Sequence, residues 1–166
     1  MVLAALAVVG TIYMALQRPP EIYPVENAAQ RLAGEIERAR DQAVASEGEA
    51  LVAVLPDGRY AARVGAPGTL TLAETPGEEW EELPEGLGWG PGEAARDPLG
   101  RPVAPLPAQV YCDADGVCGA PAPAAVYLVR SDREPHRVAG VTLDAGGSVQ
   151  AWRWERGSGQ WTPVAR

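Results

Sequence analysis

The chain has 166 residues, of which 46% are hydrophobic, enough apolar side chains to form the core of one domain. Its formal net charge is −8, and all of its basic residues are arginines. This acidic balance argues against general binding to a nucleic-acid backbone, because that binding depends on Lys and Arg side chains that neutralise phosphates. It also argues against adsorption to anionic lipid surfaces, which attract basic segments.

The first 16 residues, MVLAALAVVGTIYMAL, form a run without charge, and the first charged residue after it is Arg18. A helix of this length covers about 24 Å, which is less than the ~30 Å hydrocarbon core of a bilayer. No Lys or Arg precedes the run, and the residues after it are a poor signal-peptide cleavage site. The pattern therefore predicts a membrane helix or a short signal anchor in residues 1–18.

A proline-rich break separates this run from a second predicted helix. The prolines of RPPEIYP, at residues 18–24, lack a backbone N–H and restrict the residues before them, so we expect a kink there. Asn27 has the side chain of an N-cap, and Gly48 is a C-terminal stop. Between them, small and apolar residues recur at steps of three and four: Ala29, Leu32, Ala33, Ile36, Ala39, Ala43 and Val44. This spacing predicts a proline-kinked amphipathic helix in residues 19–48.

Residues 49–166 are predicted to form a β-rich domain. Gly and Pro are frequent, and short apolar or alternating segments are separated by turn signals. Residues 88–107 are rich in Gly and Pro and are predicted to form a long surface loop. A long helix followed by locally connected antiparallel strands predicts an α+β fold with the helix packed on one sheet. The predicted strands are Ala50–Leu55, Arg59–Val64, Thr69–Ala73, Gln109–Tyr111, Ala125–Arg130, Arg137–Leu143, Ser148–Trp154 and Gln160–Val164.

The sequence CDADGVC contains both cysteines of the chain, Cys112 and Cys118. Behind a membrane segment they would lie in an oxidising compartment, so we expect them to form a disulfide. Closing so short a loop stabilises the fold by about 2 kcal/mol in the chain-entropy model. Two cysteines and His136 are too few for a zinc site, and the loop lacks the spacing of an EF-hand. No metal or other cofactor is therefore expected.

No catalytic motif is apparent, since His136 lies in a predicted turn without a nucleophile context, so we expect a protein that is not an enzyme. Trp152 and Trp154 share one face of a predicted strand, opposite Arg153, and Trp161 is predicted on the neighbouring strand. These tryptophans either fill the core under the helix or form, with Arg153, a platform on which DNA bases or glycans stack. The pattern leaves both interpretations open.

The first ten residues resemble the start of a type IV pilin or pseudopilin helix, which follows a basic leader and a Phe-Thr-Leu-x-Glu type motif. On this resemblance the chain would begin just after that Glu. Leu32–Ala43 resembles the helix end of the GspH/FimT family of minor pseudopilins and minor pilins, and Glu82–Leu87 is similar to its Leu-Pro-x-Gly-hydrophobic element. Ala125–Arg130, Val138–Leu143 and the turn at Gly146–Val149 resemble its closing strands.

The resemblance implies a pilin-like fold and a non-catalytic subunit of a type IV pilus, a type II secretion system or a DNA-uptake filament. The apolar helix would hold the chain in the inner membrane, with its domain in the periplasm, and would later pack against other pilins or pseudopilins in a filament at the cell surface. The positions expected to make these contacts are Val2, Leu3, Leu6, Val9, Ile12 and Leu16.

The same resemblance favours filament assembly over DNA binding as the function of the chain. Some members bind DNA through a Gly-Arg-x-Arg type end, and the comparable place here, Gly147–Gln150, lacks those arginines. The alternative function is that of a membrane-anchored extracytoplasmic module that binds DNA or glycan through the C-terminal tryptophans and Arg153. A membrane-anchored hydrolase ranks last.

Overall fold

The computed structural model describes residues 24–70, 80–105, 109–119 and 124–165. Within these ranges the chain forms one α-helix, α1 (Pro24–Ala45), and ten β-strands. The strands are β1 (Glu49–Val54), β2 (Arg59–Gly65), β3 (Glu81–Glu82), β4 (Leu87–Trp89), β5 (Gln109–Cys112), β6 (Cys118–Gly119), β7 (Ala124–Ser131), β8 (Val138–Asp144), β9 (Val149–Glu155) and β10 (Gln160–Pro163).

Helix α1 begins at Pro24, three residues before the N-cap expected at Asn27. Proline suits a first helical position because its φ is already helical and its missing N–H would have had no intrahelical partner. Asn27 therefore lies inside the first turn, and the prediction that it caps the helix is wrong. At the other end the backbone N–H of Gly48 donates to the carbonyl of Ala43 at 2.8 Å, which closes the last turn.

The strands form two antiparallel sheets rather than the one sheet expected from the sequence. The first sheet has the order β3-β2-β1-β5-β6 and the second the order β10-β9-β8-β7-β4. Helix α1 contacts β1 and β2 of the first sheet and β7, β8 and β9 of the second. The predicted α+β arrangement of a helix packed on antiparallel strands is confirmed, but the helix is shared between two sheets.

The core lies between α1 and the inner faces of both sheets. The predicted helical stripe is buried from Ala29 to Ala43, whereas Val44 is 45% exposed and lies outside the core. Ile36, at the middle of the helix, and Tyr127, on β7, have no exposed surface. Burial raises the pKa of the Tyr127 hydroxyl well above its usual range. The core therefore depends on the helix packing against strands far from it in sequence.

Residues 88–89 of the predicted surface loop belong to β4, and residues 106–107 lie outside the described residues. The part between them packs over the outer face of the second sheet, the face turned away from α1. Asp97 is 3% exposed, and its Oδ1 accepts hydrogen bonds from the backbone N–H groups of Leu99 and Arg101, both at 2.9 Å. A Cβ added to Gly140 on β8 would lie 3.1 Å from Cγ of Pro98. The loop is therefore an ordered cover for this sheet, held by one buried carboxylate.

Strand β10 is the free edge of the second sheet. The backbone N–H of Val164 donates to the carbonyl of Ala151 on β9 at 2.9 Å. Because hydrogen-bonding directions alternate along an antiparallel strand, the backbone groups of Pro163 and Trp161 point away from β9. Pro163 has no N–H, so this outward position carries no donor.

Part of the sequence-based prediction lies outside the described residues. This applies to the apolar helix of residues 1–18 and to residues 71–73 of the strand predicted at Thr69–Ala73. Thr69 and Leu70 are described and belong to no strand. No helix within the described ranges has both the length and the apolar character needed to cross a membrane.

Candidate functional site

The predicted disulfide is present and joins β5 to β6 through Cys112 and Cys118. The loop between them meets the turn that joins β8 to β9, since the backbone N–H of Cys118 donates to the carbonyl of Ala145 at 3.1 Å. From the helix, the guanidinium of Arg40 donates to the carbonyl of Gly147 in the same turn. We call these three elements the seam: Arg40, residues 112–118 and residues 144–147. The seam joins the two sheets at the C-terminal end of α1.

The carboxylate of Asp113 helps to form the turn of the disulfide loop. Oδ1 of Asp113 accepts hydrogen bonds from the backbone N–H groups of Asp115 at 3.0 Å and Val117 at 2.9 Å. Within the described part of the chain, no group of three or more His, Cys, Asp or Glu residues is placed to hold a metal ion. His136 lies in its predicted turn, with Nε2 3.8 Å from Oε2 of Glu134.

The three tryptophans of the predicted platform lie together on the outer face of the second sheet. The indole rings of Trp154 and Trp161 are paired across β9 and β10, with centroids 5.4 Å apart and an interplanar angle of 57°. Trp161 donates from its indole to the carbonyl of Arg96 at 2.8 Å, and Trp152 donates to the hydroxyl of Thr142 at 2.9 Å. The interpretation that they fill the core under the helix is therefore wrong, because α1 packs on the opposite face.

Arg153 is not part of the tryptophan face. It alternates with the tryptophans along β9 and so points to the α1 side, where its guanidinium binds Oε1 of Glu155 at 2.6 and 3.0 Å. The structure therefore brings Trp152, Trp154 and Trp161 together but separates them from Arg153. Trp152 and Trp161 use their indole N–H groups in internal hydrogen bonds, so these two residues offer ring surface, rather than N–H donors, to any ligand.

Glu26, in the first turn of α1, is a partly buried carboxylate that the sequence analysis did not single out. Its Oε2 is buried and has no hydrogen-bond partner among the described residues. Burial raises the pKa of Glu26, and a hydrogen bond from its own backbone N–H and the charges of Arg153 and Arg137 offset this only in part. Both arginines also bind other carboxylates, Glu155 and Glu134 respectively.

The variant Glu26→Gln is expected to be more stable than the wild type at pH 7.5, by about 1 kcal/mol, because it removes an incompletely paired buried charge. A raised pKa means that stability is greatest below the ordinary carboxyl value of 4.5 and is lost as the pH rises through the folded-state value. The difference in the free energy of unfolding between Glu26→Gln and the wild type should therefore disappear at pH 4. Urea unfolding at both pH values measures it, with the exposed residue Glu82 changed to Gln as the control. A loss of stability at pH 7.5 would show that the attraction of Glu26 to Arg153 and Arg137 outweighs the cost of burying its charge.

A groove runs between α1 and the second sheet, and we call it the helix groove. It has a volume of about 330 Å³, and its lining residues are Gln30, Ala33, Gly34, Glu37, Gln150, Ala151 and Val164. Gly34 opens it, since a Cβ added there would meet no atom within 4 Å. A glycine inside the predicted helix, next to Ala33 of the apolar stripe, is a sequence signal that could have indicated this groove.

The overall arrangement is similar to one solved structure, the type IV minor pilin FimU of Pseudomonas aeruginosa. The match covers 84% of this chain and 92% of that chain, with a TM-score of 0.52 and 14% sequence identity. The chain has a pilin-like fold. No protein-family model and no curated protein matches the sequence. The pilin-like fold expected from the resemblance is thus confirmed.

Proposed function

We propose that this chain is a minor pilin or pseudopilin, a non-catalytic subunit of a type IV pilus, a type II secretion system or a DNA-uptake filament. The supporting observation is the pilin-like fold, in which the N-terminal end of α1 continues into a sequence that contains the uncharged run of residues 1–16. The rest of α1 is bound to both sheets by its buried stripe. A folded domain attached to an apolar segment is the form that such a subunit requires.

Assembly would proceed from the membrane. Before assembly, residues 1–18 would anchor the chain in the inner membrane with the domain on the periplasmic side. The subunit would then leave the bilayer when its apolar segment packs against those of other pilins or pseudopilins, since burial in a bundle keeps the same side chains away from water. The expected contact positions are Val2, Leu3, Leu6, Val9, Ile12 and Leu16.

Deletion of residues 1–16 is expected to abolish incorporation into filaments while the domain still folds. Leu6→Arg should have the same effect with one substitution, because a charge at the centre of an apolar helix costs about 3 kcal/mol in a membrane. Leu6→Ile is the matched control and should assemble normally. Immunoblots of filaments sheared from cells, or crosslinking in membranes for a short pseudopilus, measure incorporation. Unchanged incorporation of the deletion variant would overturn the proposal.

The alternative, a membrane-anchored binding module for DNA or glycan, draws support from the shared face of Trp152, Trp154 and Trp161, which are partly buried rather than fully covered. Base stacking on such rings quenches their fluorescence. Saturable quenching by single-stranded oligonucleotide or by glycan that is reduced in Trp152→Phe would favour this module. Absence of quenching at physiological salt would leave filament assembly as the function of the chain.

A further inference from the structure

A pair of tryptophan rings is held in a fixed position on the outer face of the second sheet. The indole of Trp161 lies over β8, since a Cβ added to Gly140 would be 3.5 Å from its Cζ3, and its N–H donates to the carbonyl of Arg96 at 2.8 Å. Trp154 lies opposite on β9, and the two ring centroids are 5.4 Å apart. Both residues are partly exposed. The pair therefore presents aromatic surface that does not have to be ordered when a ligand binds.

Charged residues border the pair on the segment that covers this sheet, residues 90–105, and on the turn after β9. Nε of Arg156, in the turn, lies 3.4 Å from Oε2 of Glu93, in the covering segment. Arg96, further along that segment, donates from its guanidinium to the carbonyl of Gly100 at 2.7 Å. All three charged residues are exposed. The tryptophan pair is thus bordered by two arginines and one carboxylate.

The indole N–H of Trp154 is the remaining donor of the pair. Within the described part of the chain it makes no hydrogen bond, and it is not one of the buried atoms left without a partner, so it faces solvent. The place therefore combines ring surface, N–H donors on Trp154 and Arg96, and acceptor oxygens on Glu93. Sites for small ligands typically join apolar surface to a few polar groups that fix the orientation of the ligand.

These groups match a neutral sugar better than a nucleic acid. A phosphate oxygen only accepts hydrogen bonds and is repelled by a carboxylate, so Glu93 opposes its binding, as does the formal net charge of −8. A hydroxyl both donates and accepts, so it can bind the indole N–H, the guanidinium and the carboxylate alike. A pyranose ring also has an apolar face of C–H groups that packs on an indole. We propose that Trp154 and Trp161 bind one ring of a neutral oligosaccharide.

The proposal rests on the alternative function given above, a binding module, and names the ligand class and the two rings that contact it. It does not depend on filament assembly, because the pair lies on the face of the second sheet turned away from α1. The same site is compatible with a subunit of a filament and with a single domain anchored in a membrane. Sugar binding and assembly can therefore be measured separately.

Titration of the full-length chain tests the ligand class. The chain is kept in lauryldimethylamine oxide, because detergents with sugar headgroups would compete. The neutral probes are chitohexaose and maltohexaose, and the charged comparison is a single-stranded oligonucleotide. At least one neutral probe should bind saturably, with a Kd on the order of 0.1–1 mM. In NMR spectra the indole N–H signal of Trp154 should shift, and that of Trp80, which is stacked on Arg63 of the first sheet, should not. Tighter binding of the oligonucleotide, or no binding of either neutral probe, would overturn the proposal.

Substitutions at Trp154 test the ring and its N–H separately. Trp154→Ala removes both and should raise the Kd for the neutral probe about tenfold, whereas Trp154→Phe keeps an aromatic ring and should raise it about threefold. Trp80→Phe is the matched control on the first sheet and should leave the Kd unchanged. Circular dichroism and thermal unfolding show whether each variant is folded. A folded Trp154→Ala chain with an unchanged Kd would contradict the proposed site.

A change of charge beside the pair gives an independent test. Glu93→Gln replaces a carboxylate by an amide oxygen, which is a weaker acceptor, so the Kd for the neutral sugar should rise about threefold. Binding of a polyanion would instead become tighter, because Arg156 would lose its partner. Glu82→Gln makes the same change of charge on the first sheet and should have neither effect. Tighter sugar binding in Glu93→Gln would contradict the role of this carboxylate.

The outcomes also separate the sugar site from the functions proposed above. If neither neutral probe binds but the oligonucleotide does, the sugar site fails and the alternative function stands with another ligand. If no probe binds and deletion of residues 1–16 still prevents incorporation into filaments, the sugar site fails and the subunit function holds. If a neutral probe binds and the deletion variant incorporates normally, the subunit function fails and the sugar site holds.

Discussion

Replacement of Gly147 by alanine is expected to destabilise the protein by about 3 kcal/mol. Gly147 has a φ of 78°, in the left-handed region that alanine adopts only at a cost of about 1–2 kcal/mol. A Cβ at this position would also overlap the carbonyl oxygen of Gly116 and lie 2.9 Å from Cδ of Arg40. The backbone at Gly116 is part of the disulfide loop, so it has little freedom to move. Urea unfolding followed by circular dichroism measures the loss.

The matched control for this substitution is Gly100→Ala. Gly100 has nearly the same φ, 76°, but a Cβ there would meet no atom within 4 Å. It should therefore show only the backbone strain, about 1 kcal/mol. The difference between the two variants isolates the close contact within the seam. Equal losses would mean that the disulfide loop and the β8–β9 turn separate easily.

Replacement of Ile36 by alanine is expected to cost about 3 kcal/mol, within the range for deleting a fully buried aliphatic side chain. Ile36 lies near the middle of α1, has no exposed surface and belongs to the core that spans both sheets. The cavity left behind would weaken the packing of the helix against the two sheets together. Thermal unfolding should show a single transition at a lower temperature.

Val44→Ala is the control for the helix, because the sequence placed both residues in the same apolar stripe. Val44 is 45% exposed, and its Cγ2 would lie 3.3 Å from a Cβ added to Gly116. Its truncation should change the free energy of unfolding by less than about 0.5 kcal/mol. A cost comparable to that of Ile36→Ala would mean that the end of the helix is covered in solution.

The longer elements could be predicted from the sequence because their patterns are strong. β1, β2, β7, β8 and β9 each have six to eight residues and apolar or alternating side chains. β3 and β6 have two residues and β4 has three, too few for any periodicity. The missed strands lie at edges of the two sheets. The division into two sheets has another cause, since β5 pairs with β1, which is distant in sequence, and not with β7, which comes later in the chain.

Features outside the core could be predicted from the sequence only where the residue type alone determines the structure formed. Two cysteines indicated the disulfide of Cys112 and Cys118, but the contact of its loop with Ala145 joins residues distant in sequence. Alternation placed the tryptophans opposite Arg153, yet it could not decide which face α1 covers. The burial of Glu26 and the opening beside Gly34 depend on how closely β9 approaches the helix, and no local pattern records that distance.

The missing donor at Pro163 has a consequence for how these molecules can be crowded together. An exposed edge strand offers a ladder of N–H and C=O groups on which a further strand from any neighbour can grow. On β10 that ladder is four residues long, and its outward row is interrupted by proline. A strand from a neighbouring molecule would therefore find the N–H of Trp161 but none at Pro163, which disfavours the merging of sheets from different copies.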